Sequence, residues 1–313
     1  MSGRRIGITL GDAGGIGPEV VARALADPSL LFEAGAVIFG DEGSFRAEAA
    51  RFDLKPDLRA VSFRNPGGPP PSGRRGVPDR ENGAASFRAF EAAVAAARAG
   101  EIRAVATAPV SKASWGLAGL PWRGHTDYLA GFFPGAIMTF WSETLTVALL
   151  SHHLPLREAL ARVTKAEIVR FLRALAAGLA AVGAEPVEIL VAGLNPHAGE
   201  GGLLGREETE EIEPAVREAR EAGLPVTGPF PPDIVFRSAL GRPDRIVVAL
   251  YHDQGLIPFK LEGFAAGVNV TLGMPFVRTS PDHGTAFDIS GEGRADPRSM
   301  IAALRRASRL PSR

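Results

Sequence analysis

Three histidines in this chain each follow an apolar run: His153 after Leu145 to Leu150, His197 after Val187 to Leu194, and His252 after Ile246 to Leu250. Runs such as Ile-Val-Val-Ala-Leu read as strands buried on both faces. In an open α/β sheet the carboxyl ends of the strands converge on one edge, and ligands bind in the crevice there. One such histidine by itself is most simply a hydrogen-bonded loop or core residue. Three in the same setting point to a shared divalent-ion site, because imidazole is a frequent ligand for zinc and similar ions.

The richest stretch runs from Tyr251 to Ser290. It holds Tyr251-His252-Asp253-Gln254-Gly255, then Lys260, Asn269 and Arg278, then Asp282-His283-Gly284-Thr285-Ala286-Phe287-Asp288. Earlier, Arg123-Gly124-His125-Thr126-Asp127 is read as a loop before a helix from Tyr128 to Phe132. His125 is there either a neighbour of a capping Thr126 or, with the free N–H groups of that helix start, part of an anion site. Cysteine is absent, which excludes disulfides, thiolate metal sites and a cysteine nucleophile, and leaves His, Asp and Glu for any metal work.

The elements that must position these residues alternate between strand and helix. Ile6–Leu10, Ala36–Phe39, Leu58–Phe63 and Ala104–Ala108 read as strands, with helices at Pro18–Ala26, Phe45–Phe52 and Ala84–Ala99 between them. Ala136–Trp141 and Leu145–Leu150 follow as strands. A helix begins near Lys165 behind the capping box Thr164–Glu167. Val268–Leu272 reads as the final strand, and Met300–Leu310 as the closing helix. This βα alternation predicts a mostly parallel, doubly wound α/β sheet. Gly11 to Gly17 and Gly199 to Gly205 both miss the dinucleotide spacing, so the first reads as a tight turn, with Asp12 able to point into a site. The charged helix from Arg206 to Ala222 opens on Glu207-Glu208, which reads as dipole complement and solvated face. Gly228 to Asp233, with three prolines, reads as a stiff loop presenting Asp233.

The 313 residues exceed the size at which single cores stop growing, so two domains are expected. Apolar residues make up 45%, and Lys plus Arg equals Asp plus Glu at 35 each without a long single-sign run. That balance signals no nucleic-acid face and favours small ligands. No segment approaches the roughly 18–20 apolar residues of a membrane span and no signal h-region is evident, so a cytoplasmic protein is expected.

Several blocks in order, Gly124-His125-Thr126, Asn195-Pro196-His197-Ala198-Gly199-Glu200, Tyr251-His252-Asp253-Gln254-Gly255, Asn269-Val270-Thr271-Leu272-Gly273 and Arg278 through Ala286, resemble the 4-hydroxythreonine-4-phosphate dehydrogenase family of vitamin B6 biosynthesis. The segment His283 to Ile289 also looks like the cofactor segment of the wider isocitrate and isopropylmalate dehydrogenase group, whose fold lacks a Rossmann fingerprint. The resemblance implies two α/β/α domains with an active-site cleft between them. Residues 1–128 and 274–313 would form the first, and 129–273 the second, carrying the metal histidines and the contacts of a homodimer. It implies that His153, His197 and His252 bind zinc, magnesium or cobalt, and that the homodimer interface contributes to the site, which is one way His252 could meet the others across subunits. It further implies that His125, Thr126, Lys260, Asn269 and Arg278 hold the phosphorylated substrate, and that His283, Gly284, Thr285 and Asp288 contact NAD. Lys and Arg fit that role physically, since they supply the charge a phosphate and a carboxylate require.

The chain departs from the family pattern at Ala13-Gly14, Asp127, Ser290 and Glu292. Glu292, near the implied dinucleotide, is expected to favour NAD over NADP. The reaction implied is oxidation of 4-phosphooxy-L-threonine to a 3-keto acid that decarboxylates to 3-amino-2-oxopropyl phosphate, with Asp233, Asp253 or Lys260 taking the hydroxyl proton. The rivals are dehydrogenation of an erythronate or threonate phosphate, a metal-dependent phosphatase, and a phosphometabolite-binding protein.

Overall fold

The computed structural model describes residues 5–30, 32, 34–184, 187–263 and 266–309. The chain divides into two compact units, Met1–Pro134 with Pro275–Arg313, and Gly135–Met274. The expected boundary after residue 128 falls inside a helix, His125–Phe132, which belongs whole to the first unit.

In chain order the first unit contains β1 (Ile6–Thr9), α1 (Gly17–Leu25), β2 (Ala36–Phe39), α2 (Glu42–Arg51), β3 (Val61–Arg64), α3 (Arg80–Arg98), β4 (Ala104–Thr107), α4 (Lys112–Leu117) and α5 (His125–Phe132). The second contains β5 (Ile137–Trp141), β6 (Thr146–Leu149), α6 (Leu156–Leu160), α7 (Lys165–Ala181), β7 (Glu188–Ala192), α8 (Glu213–Glu221), β8 (Val226–Phe230), α9 (Val235–Ala239), β9 (Arg245–Ala249), α10 (His252–Gly263) and β10 (Val268–Leu272). The chain then returns to the first unit with β11 (Val277–Pro281) and α11 (Arg298–Arg309).

The strands of the first unit lie in the order β3-β2-β1-β4-β11, all parallel. β1, β2 and β4 are buried along their whole length, as an all-parallel sheet covered on both faces requires. Ile8, Val20, Ile38, Ala106 and Leu304 meet in its core. Helices start where side chains cap them: Asp79 accepts from the N–H groups of Glu81 and Asn82, so α3 begins four residues before the expected Ala84. In α1 the acidic first-turn residue is Glu19, fully buried, whose carboxylate takes Arg23 and the Ala295 N–H.

In the second unit the order is β10-β5-β6-β9-β7-β8, with β5 antiparallel to both neighbours and the other pairs parallel. Val147, Leu149, Leu190, Val247 and Phe259 form its core. α7 starts as its capping box predicts, Thr164 Oγ1 accepting from the Glu167 N–H at 3.4 Å.

Several expectations are corrected. Val268–Leu272 is not the last strand, because β11 follows and carries Arg278. Gly228 to Phe230 is not loop but the end of β8, an edge strand, where proline removes no inner ladder bond. His125 to Asp127 form the first turn of α5 rather than a loop before it. Of the expected closing helix, Leu310 lies outside the described residues. No helix among the described residues is long and apolar enough to cross a membrane.

Candidate active-site clusters

β6, β9 and β7 are neighbours and parallel, so their carboxyl ends lie at one edge and the three histidines leave from it. The imidazoles of His153 and His252 come together, ring centroids 5.6 Å apart. Close approach of α10 makes this possible. A Cβ on Gly255 would sit 2.7 Å from Leu149 Cδ2 and 2.8 Å from Val147 Cγ1, so only glycine lets the first turn of α10, with His252 at its start, lie against β6. His197 stands apart: it is exposed, and among the described residues no three His, Asp or Glu side chains are gathered as a formed metal cluster. Within one chain His252 neighbours His153.

The donor chemistry of these imidazoles nevertheless suits a divalent ion. His252 Nδ1 lies 2.7 Å from Asp253 Oδ1, and His197 Nδ1 lies 3.0 Å from Glu200 Oε2. A carboxylate only accepts, so Nδ1 carries the proton in each ring and Nε2 presents its lone pair, the carboxylate-histidine arrangement typical of metal ligands. Glu200 and, more weakly, Asp233 raise the pKa of His197. This brings Asp233 into the electrostatic field of His197, while Asp253 is engaged with His252.

The backbone at two of the histidines is unusual. His153 has φ 51, and from His197 to Gly201 five consecutive residues have φ between 46 and 77. Left-handed backbone costs a non-glycine residue about 1–2 kcal/mol, so His197, Ala198 and Glu200 together store several kcal/mol. Something must hold this turn, and Glu208 does. Expected on a solvated face, Glu208 is instead fully buried. Its carboxylate accepts from the backbone N–H groups of Leu194 and Asn195 at 2.7 Å and from Asn195 Nδ2 at 2.9 Å. An acidic run gives no sign of which glutamate turns inward.

Lys260 is half-buried on α10, and Asn269 on β10 has a buried Oδ1 without a partner. His152, not singled out from the sequence, is half-buried 5.2 Å from the His153 ring, with Nδ1 buried and unpartnered. Burial, and then the charge of His252, lower its pKa.

The first unit carries a different cluster. Arg278 on β11 is 5% exposed. Its Nε donates to Thr107 Oγ1 at 3.0 Å and its Nη2 to His125 Nδ1 at 3.0 Å. Among the described residues it forms no ion pair, and burial pulls its pKa down to about 10. A guanidinium that accepts this desolvation without a carboxylate is prepared for an anionic ligand. His125 fits the same purpose. With Nδ1 accepting from Arg278, its proton sits on Nε2, which is buried and has no partner. Phe90, at a ring distance of 4.4 Å, and Trp115, at 5.7 Å, fix the imidazole plane. It opens α5, whose N-cap Gly124 supplies no side-chain cap, leaving first-turn N–H groups beside it. Thr126 is half-buried in that turn. Lys112, overlooked in the sequence, runs alongside Gly124, with its Cε 3.8 Å from where a Cβ would stand.

Burial and the Arg278 charge hold the His125 pKa well below its ordinary value of 6.5. The unfolded chain therefore takes up a proton below about pH 6.5 that the folded chain refuses, and His125 costs about 1.4 kcal/mol of stability per pH unit as pH falls below that value. Above it there is no effect. Unfolding of the native protein and His125→Gln, compared from pH 7 to pH 5, should show this extra acid slope only in the native chain; parallel curves would rule out a buried neutral imidazole.

The segment proposed to contact the nucleotide packs on the β1 turn, Ile16 N–H donating to Thr285 O at 2.9 Å. That turn is tight, as read: Asp12 is buried and its Oδ1 accepts from Gly14 N–H at 2.8 Å. His283 Nδ1 lies 3.0 Å from Gly284 O, leaving Nε2 as an unpartnered buried acceptor. Gly284 and Asp288 are exposed. Glu292 is paired with Arg294 at 2.6 Å, while Arg51 and Arg23 donate to the carbonyls of Gly291 and Gly293. Part of the Glu292 charge is thus answered locally, and further arginines stand in the same turn.

The family model for pyridoxal phosphate biosynthetic protein PdxA matches residues 36–307. A 4-hydroxythreonine-4-phosphate dehydrogenase from Desulforapulum autotrophicum is 41% identical, covering 97% of this chain and 94% of its own. A D-threonate 4-phosphate dehydrogenase from Salmonella typhimurium is 38% identical over 99% of this chain and all of its own. The crystal structure of 4-hydroxythreonine-4-phosphate dehydrogenase from Klebsiella pneumoniae superposes with a TM-score of 0.84 at 37% identity, covering 97% of this chain and 98% of that one.

Proposed function

This chain belongs to the PdxA family of pyridoxal phosphate biosynthetic proteins, and from that premise we propose that it is the dehydrogenase that oxidises 4-phosphooxy-L-threonine with NAD. The 3-keto acid formed loses carbon dioxide to give 3-amino-2-oxopropyl phosphate. The observation that carries this reading is Arg278, buried without a carboxylate and joined to a His125 whose Nε2–H has no acceptor. Together with the α5 first turn they offer a charge and several donors to a terminal phosphate.

His153, His197 and His252 would hold a divalent ion, which would supply Lewis-acid polarisation, and a nicotinamide nucleotide would supply the hydride acceptor. The residues of the chain do the remaining work. Asn269 Oδ1, a buried acceptor without a donor, suits the substrate amine, and Lys260 the carboxylate. Asp233 is the base we favour for the hydroxyl proton: it is exposed and acts on His197, whereas Asp253 is bound to His252 and serves to orient it. His283, Gly284, Thr285 and Asp288 are assigned to the nucleotide. Exposed Ile257 and Leu261, one turn apart on α10, are apolar side chains suited to contact with a second copy of the chain, as expected of a homodimer.

The test is NADH formation from enzyme, 4-phosphooxy-L-threonine, NAD and zinc, magnesium or cobalt in turn. Absence of NADH with every ion would remove the proposal. A second reading, favoured by the Salmonella relative, is oxidation of D-threonate 4-phosphate, which differs at C2 in carrying hydroxyl for amine. Asn269 Oδ1 can accept from either, so the ratio of kcat/KM for the two substrates decides. Glu292→Lys, given the Arg294 pair, should change the NAD to NADP ratio by less than about tenfold, in keeping with the small worth of exposed ion pairs. A larger switch would place Glu292 directly on the ribose.

A further inference from the structure

The groups around Arg278 and His125 share one property: they give protons and receive none. A guanidinium carries five N–H donors and no acceptor. Arg278 commits two of them, Nε to Thr107 Oγ1 and Nη2 to His125 Nδ1, each at 3.0 Å. Because Arg278 can only donate, its contact fixes the tautomer of His125. Nδ1 is the acceptor, so the proton stands on Nε2, which is buried and has no partner. Lys112, alongside Gly124, and the first turn of α5, which has no side-chain cap, add further N–H groups.

The elements packed around the pair leave this balance in place. α3 and α4 turn the rings of Phe90 and Trp115 to the imidazole. β4 presents Thr107, whose Oγ1 receives Arg278 Nε and donates to Thr279 O at 3.5 Å. Asp127 in the α5 first turn is exposed, and its Oδ2 accepts from the Arg123 N–H at 2.9 Å. Glu91 of α3 acts on Tyr128, whereas burial and then the Arg278 charge keep His125 neutral in mild acid. There remains the Thr126 hydroxyl, which can accept a ligand proton only by giving up its own donation to that ligand.

We infer that this cluster binds a terminal phosphate as the dianion and rejects the monoanion, because a P–O–H group would point its proton at donors. This rests on the reading of Arg278 and His125 as the phosphate site, and adds to it a selection by protonation state. A ligand proton left without an acceptor in a buried site disfavours that form by about tenfold or more. The second ionisation of a phosphate monoester lies near pH 6, so the substrate itself, and not the imidazole, sets the acid limit of binding.

Calorimetric titration of the full-length protein tests this with three ligands. They are 4-phosphooxy-L-threonine, its phosphonate counterpart, whose second ionisation lies at higher pH, and its sulfate ester counterpart, which has no such proton to lose. Dividing each dissociation constant by that of the sulfate ester at the same pH cancels titrating groups of the protein, and the amine and carboxylate common to all three ligands. Between pH 7 and pH 5 the phosphate ester should weaken about 5- to 10-fold relative to the sulfate ester, and the phosphonate should show the same fall at higher pH. A ratio constant within twofold over that range, or a fall at one common pH for phosphate ester and phosphonate, would overturn the proposal while leaving the phosphate site in place. Arg278→Met tests the premise separately at pH 7. If it binds the phosphate ester as tightly as the native protein does, or if the native protein binds that ester no more tightly than the dephosphorylated compound, the phosphate reading falls and the proposal with it.

Discussion

Alanine in place of His252 should lower turnover by about 10³-fold or more while the protein keeps its fold. Lewis-acid assistance is worth several kcal/mol of transition-state stabilisation, and each 1.4 kcal/mol is a factor of ten in rate. Stability is spared because the His252 side chain is 37% exposed and Asp253, its partner, 72%, so no core cavity opens and no buried carboxylate is stranded. His153→Ala should behave alike in rate, and it also relieves the φ of 51 at that position only if the turn relaxes. Thermal unfolding, bound-ion stoichiometry and kcat at saturating ion, measured together, test this. Native kcat in a variant that has lost its ion would remove the histidines from catalysis.

How far this was legible in the sequence depends on whether the signal is local. The strand ends were legible, since buried parallel strands are written as unbroken apolar runs: Ala36–Phe39 and Val268–Leu272 were placed at their observed limits. The α/β alternation and the Thr164 cap were legible for the same reason. α10 was not, because its apolar residues follow no clear helical stripe and Pro258 stands inside it. β11 was missed because Val277-Arg278-Thr279-Ser280-Pro281 carries a charge and a proline where a buried strand is expected to be apolar. That departure is what the proposed phosphate site needs, a charge buried on the strand at Arg278. Glu208 was misread as solvated because charge in a run of glutamates says nothing about which one turns inward. Only the tertiary fold sets Glu208 behind Leu194 and Asn195. The pairing of Gln254 with Gly193, 61 residues away in sequence, has no local signature at all.

Arg278→Met should raise KM for the phosphorylated substrate by about 30- to 4,000-fold, corresponding to the 2–5 kcal/mol lost when one partner of a buried charge pair is removed. KM for a dephosphorylated analogue should change far less. In the free protein the same substitution should be neutral or stabilising. Arg278 is almost fully buried, forms no ion pair among the described residues, and is desolvated enough for its pKa to fall to about 10. Methionine of similar length fills that space without a charge, and among the described residues Thr107 Oγ1, which also donates to Thr279 O at 3.5 Å, and His125 Nδ1 are the groups that lose a donor. Binding and stability thus move in opposite directions, as expected where a site is held in a strained or desolvated state for its ligand. Arg278→Lys should rescue little, because one ammonium cannot reach Thr107, His125 and an anion in the fixed fork that guanidinium provides. The decisive pair of measurements is KM for both substrates and the melting temperature of the ligand-free variants. A large fall in melting temperature with equal KM changes for the two substrates would make Arg278 a structural residue and move the phosphate elsewhere.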